Sequence, residues 1–192
     1  MIYDAAVWHY GGDFPADLPR AAGATHMGMF LAWMLLNGHG ADRHTPALAP
    51  QHARAITPGA WFMANCAEQL TDADLSAEGN RFAQAYYLFD EDRLDEGEPS
   101  FMPDYAKSFP DADFAYSLPD DWATYDMLAP ILAHRFAPWR GMNSFTGGDN
   151  GLCNPDRGTE GRSDCRHAEP PAGAERAQQP GAAGPVEGVR RL

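Results

Sequence analysis

The stretch VWHYGGDFP, residues 7–15, places a histidine and a carboxylate four positions apart, His9 and Asp13, among aromatic residues and a Gly-Gly pair. An imidazole titrates near neutrality, and a carboxylate can fix its tautomer and direction, so the pair can serve as a general base and its orienting group. The same two side chains can also ligate a metal. His26 heads the apolar stretch MGMFLAWMLL, and a fold that carried it to His9 would line a groove with two imidazoles and Asp13. Against this chemistry stands a packing role. Gly11 and Gly12 mark a turn, Phe14-Pro15 forces an extended exit, and Trp8 and Tyr10 would clasp the N-terminal segment onto the domain with His9 pointing away. In that reading Trp8 is a structural anchor and His26 bonds a neighbouring carbonyl.

Three further histidines, His39, His44 and His52, fall in a loop-like stretch, NGHGADRHTPALAPQH, with gaps of five and eight. These gaps match no metal-ligand pattern, so exposed loop histidines are expected. The run DEDRLDEGE, residues 90–98, holds six acids but is no calcium loop. Counted from Asp90, Leu94 takes the place of the third ligand, Asp95 that of the glycine and Phe101 that of the bidentate glutamate. Asp90, Glu91, Asp92, Asp95 and Glu96 then read as a solvated loop or as a docking surface for a basic protein partner. No phosphate loop, nucleophile elbow, dinucleotide fingerprint or other cofactor motif is present, and no metal site is assigned.

The elements that must position these residues are mostly helical. Met27, Phe30, Leu31, Met34 and Leu35 recur at helical spacing after Thr25, an N-cap candidate, and Gly38 suits the C-terminal stop. Apolar residues on the other face make this helix central. Thr57-Pro58 starts a second helix reaching about Gln69, and a third spans about 76–89 with Phe82, Tyr86 and Phe89 on one stripe. In the fourth, Trp122, Tyr125, Ala129, Leu132, Phe136 and Trp139 line one seam while Asp121, Asp126 and Arg135 face water, and Pro130 predicts a kink or two abutting helices. Short extended segments are possible at 5–10 and 113–117. The fold class is mainly α, a compact helical domain over residues 1–145 with at most a minor strand element. The Gly-, Pro- and Ala-rich segment 146–192 is expected to be a disordered tail.

Composition narrows the partners. The 192 residues carry a net charge of -13, and residues 1–145 hold eight Lys and Arg against 20 Asp and Glu. Such a surface repels phosphate backbones and anionic lipid, which argues against nucleic-acid and membrane partners. Three cysteines form no disulfide framework, the first residues lack the basic and apolar regions of a signal peptide, and the longest apolar run is too short to span a bilayer. A cytoplasmic protein is expected.

Taken in order, YDAAVWHYGGDFP, GATHMGMFLAWMLLNG, ITPGAWF, EGNRFAQAYY and WATYDMLAPILAHRFAPW resemble a family of small uncharacterised bacterial proteins. Its domain of unknown function opens on Tyr-Asp and Trp-His-Tyr-Gly-Gly-Asp-Phe-Pro. The resemblance spans about residues 3–140, leaves out the tail, and implies no catalytic or binding residues. Two functions therefore stand at the level of sequence: an acidic interaction module, such as an immunity protein that blocks a basic partner, and a small hydrolase-like enzyme using His9, Asp13 and His26 around a groove.

Overall fold

The computed structural model describes residues 1–11, 14–88, 99–110, 112 and 115–144. Asp13, the acidic run 90–98 and the expected tail lie outside the described residues. The fold is mainly helical, as expected, with one short two-stranded sheet.

Helix α1, Thr25–Leu36, is the axis of the structure, and every residue from Thr25 to Leu35 is buried. A helix apolar all round can be stable only when covered on every side, and that is its situation here. It starts one residue earlier than a Thr25 cap would place it, with Ala24 in the cap position, continuing directly from a 3-10 turn over Arg20–Ala24. Its end follows expectation. Gly38 takes φ +80, a left-handed conformation that a side chain disfavours, and its N–H bonds the carbonyl of Leu35 at 3.2 Å.

After the short α2, Ala49–His52, helix α3, Pro58–Asn65, crosses α1 at a point where backbone meets backbone. A methyl group on Gly28 would come within 2.6 Å of the Gly59 Cα. Only glycine at position 28 allows that approach. Thr57 caps α3 as predicted, but the helix stops at Asn65, short of Gln69. Gln69–Thr71 is instead strand β2, which pairs antiparallel with β1, Ile2–Ala5. Backbone hydrogen bonding to the N-terminal strand overrides the local helical pattern.

Helices α4, Ala77–Tyr86, and α5, Phe101–Lys107, close over α1 through aromatic contacts, with Phe30 5.2 Å from Phe101 and 6.4 Å from Phe82 between ring centres. α5 is not legible from periodicity, because seven residues interrupted by Pro103 give no repeating stripe. Helix α6, Trp122–Ser144, runs through both Pro130 and Pro138 as a single helix, so of the two outcomes expected at Pro130, a kink or two abutting helices, the second does not occur. Of the expected seam, Tyr125, Leu132 and Phe136 are buried and Trp122, Ala129 and Trp139 partly so, and Leu128, outside that seam, is buried with them. Arg135 does not simply face water: its guanidinium reaches Asp104 on α5, at 2.7 Å and 3.0 Å. Of the segment 113–117, Ala115–Ser117 forms a 3-10 turn and not a strand.

Candidate functional site

Asp4 lies in β1, where strand residues should alternate between core and solvent. Pairing Ile2 with Thr71 and Asp4 with Leu70 leaves Tyr3 as an extra residue, a bulge that breaks the alternation. Tyr3, Asp4 and Ala5 are consequently all buried. Tyr3 donates to Asn80 Oδ1 at 2.8 Å, which leaves the Asp4 carboxylate turned into the interior.

Four donors meet that carboxylate. Oδ1 accepts from the Ala5 N–H at 2.8 Å and lies 2.8 Å from His9 Nε2, while Oδ2 accepts from the Tyr87 hydroxyl at 2.8 Å and lies 3.0 Å from His26 Nε2. The strand turns after Ala5 into a 3-10 turn, Ala6–His9, which swings His9 back over Asp4. Helix α1 delivers His26 from the other side. The two imidazoles meet edge to face with centres 4.7 Å apart. Gly23 permits this closure, since a side chain there would collide with the Tyr10 ring at 2.9 Å.

Burial differs sharply across the cluster. The His26 side chain is 2% exposed and that of His9 20%, so His9 is the member that solvent can reach. His9 Nδ1 lies 3.0 Å from the Tyr116 hydroxyl, and ring contacts continue from Tyr116 to Phe14 at 5.1 Å and from Phe14 to Tyr10 at 5.9 Å. Arg20 lies over the Tyr10 ring at 4.9 Å.

The charge state follows from these neighbours. Burial pushes the Asp4 carboxyl up, but the bonds from His26 and His9 outweigh it and hold the group well below the usual carboxylate range. Burial depresses His26, against the pull of Asp4, which favours the neutral ring. Tyr87 is pushed far up by burial and by the Asp4 anion, so it remains a hydrogen-bond donor.

The structure brings His9 and His26 together on the carboxylate of Asp4. Asp4, an acid inside the otherwise apolar MIYDAAVW, joins them; that isolation was the available signal. Asp13 lies outside the described residues, as do Asp90, Glu91, Asp92, Asp95 and Glu96. Two expectations need correction. Trp8 is no clasp, being 56% exposed, because the 3-10 turn that carries His9 inward rotates its neighbour outward. His39 and His44 are buried, and only His52 is exposed.

A second buried cluster joins His44, Cys66 and Asp74. Asp74 Oδ1 is shared by His44 Nε2, at 2.9 Å, and the Arg43 guanidinium, while Oδ2 accepts the Thr71 N–H and hydroxyl, each at 2.7 Å. A cation already sits on this carboxylate, and burial, with Asp74 adding to it, keeps the Cys66 thiol protonated. The arrangement ties β2 and the turn after it to the segment carrying His44.

The family model for Domain of unknown function (DUF7832) matches residues 2–117, the majority of the chain. The chain belongs to that family. The match contains Asp4, His9, His26, Tyr87 and Tyr116, and it bears out the resemblance to an uncharacterised domain family drawn from the sequence. The stretch WATYDMLAPILAHRFAPW, counted in that resemblance, falls beyond the matched residues. No curated protein and no solved structure matches the chain. No helix among the described residues is long and apolar enough to cross a membrane.

Proposed function

We propose that this chain is a small hydrolase-type enzyme whose reacting centre is the cluster of Asp4, His9 and His26. The observation that carries the reading is the single carboxylate on which both imidazoles close, one ring buried and the other open to solvent. Hydrolysis needs a water held at a fixed point beside groups that take its proton as its oxygen attacks. A buried anion with two oriented imidazoles supplies such a point, and low polarity around it strengthens every electrostatic contact made there. The rings of Tyr116, Phe14 and Tyr10 next to His9 suit an apolar or aromatic acyl group on the substrate. The test is turnover of chromogenic aryl and acyl esters by the full chain beside its Asp4→Asn and His9→Gln variants. The reading expects loss of at least about 100-fold in kcat/KM in both variants. Equal turnover by wild type and Asp4→Asn overturns it.

A docking role is the second reading, and the exposure of Trp8 and Val7 favours it. Tryptophan is the residue most often found at the energetic centre of protein interfaces, and a chain of net charge -13 attracts a basic protein partner. Pull-down with wild type and Trp8→Ser, followed by salt titration of any captured basic protein, separates this reading from the first.

A further inference from the structure

We infer that Asp4, His9 and His26 bind one divalent first-row transition ion, zinc foremost, in a three-ligand site with an open coordination position. The inference rests on the enzymatic reading above for its use, and on geometry for its existence.

Comparison of the buried carboxylates sets Asp4 apart by its partners. Among the described residues, Asp4, Asp74 and Asp104 are the buried carboxylates. Asp74 is neutralised by Arg43 and Asp104 by Arg135. Among the described residues no lysine or arginine reaches Asp4, whose partners there are two imidazoles, one hydroxyl and one backbone N–H. A buried carboxylate is costly without a compensating positive charge, and two imidazole nitrogens beside a carboxylate oxygen are the donor set of a catalytic zinc or non-haem iron site.

The distances agree. One ring nitrogen each of His9 and His26 and a carboxylate oxygen of Asp4 all lie within 4.8 Å of one another. An ion about 2.0–2.2 Å from each ligand requires them to stand about 3.0–3.5 Å apart. The 2.8 Å and 3.0 Å contacts to Asp4 therefore open by a few tenths of an ångström on binding. The surroundings are those of a ligand set already oriented. With Nε2 on the metal, His9 carries its proton on Nδ1 and donates it to the Tyr116 oxygen, 3.0 Å away, while Tyr87 and the Ala5 N–H fix the plane of the carboxylate. The exposed edge of His9 leaves a coordination position for water, unlike a closed structural site.

The test uses the full chain stripped by chelator and titrated with Zn²⁺ by calorimetry and with Co²⁺ by visible absorption. Expected are one equivalent bound, d–d bands of a low-coordinate Co²⁺ centre, and an affinity at least about 100-fold weaker in both Asp4→Asn and His9→Gln. His9→Gln changes a half-buried ring and keeps the assay usable should Asp4→Asn not fold. His44→Gln, in the second cluster, should leave affinity unchanged. Absence of binding at millimolar ion, or equal affinity in wild type and His9→Gln, overturns the site. Metal binding without ester turnover would keep this inference and end the hydrolase reading. Turnover that survives chelation but not His9→Gln would do the reverse.

Discussion

His26 Nε2 and Asp4 Oδ2 stand 3.0 Å apart across 22 residues of sequence, joining the first turn of the central helix to the N-terminal strand inside the core. The contact fixes where β1 can sit on α1. It also makes the candidate site and the fold depend on the same carboxylate.

That dependence can be measured at Tyr87, which donates to the same Oδ2. Tyr87→Phe removes one donor from a buried anion without leaving a large void. It should destabilise the chain by about 1–2 kcal/mol in urea unfolding, the usual cost of a lost hydrogen bond to a charged group. A change within error would mean that water restores the bond.

Trp8 should matter little to stability. With more than half its surface already in water, Trp8→Ala forfeits little packed area, and the melting temperature should fall by no more than about 2 °C. Unfolding that begins some 10 °C earlier would restore the clasp role.

Gly28 should tolerate no side chain. The methyl group of Gly28→Ala would press on the Gly59 backbone at 2.6 Å, and no flexible side chain stands there to yield. Better helix propensity is worth about 1 kcal/mol in its favour, whereas forcing α1 and α3 apart costs about 1–3 kcal/mol or more. Net destabilisation is expected in chemical denaturation, and a stabilised variant would show that the helices do not cross at this point.

Acid should unfold the protein through Asp74. Burial raises this carboxyl, but its bonds to His44, Thr71 and Arg43 prevail and bring it down to about 2. A depressed folded value adds stability that is fully present above the unfolded value of 3.8 and disappears as pH falls toward 2. Asp104, held low against its burial by Arg135 and Tyr86, adds to the same acid limb. The melting temperature should therefore drop steeply between about pH 4 and pH 2. Asp74→Asn should start lower at neutral pH and show a shallower drop over that window; parallel curves would place the acid sensitivity elsewhere.

The sequence by itself determined the helical class, the central position of α1, the capped start of α3 and the buried seam of α6, because each rests on local periodicity or capping chemistry carried by contiguous residues. It also marked His9 and His26 as residues able to share a site. Their partner was decided by tertiary structure. Asp4 reaches them through a strand bulge, and the bulge exists because β1 pairs with β2 some 65 residues further on, a register that no local pattern encodes. The same reason accounts for Gln69–Thr71 turning from helix to strand and for Arg135 turning from water to Asp104. Burial of His44 beside Asp74 likewise depends on a contact 30 residues apart in the chain. Spacing sets what one element can present on its face, whereas the meeting of a carboxylate with two imidazoles from three separate segments is fixed only when those segments pack.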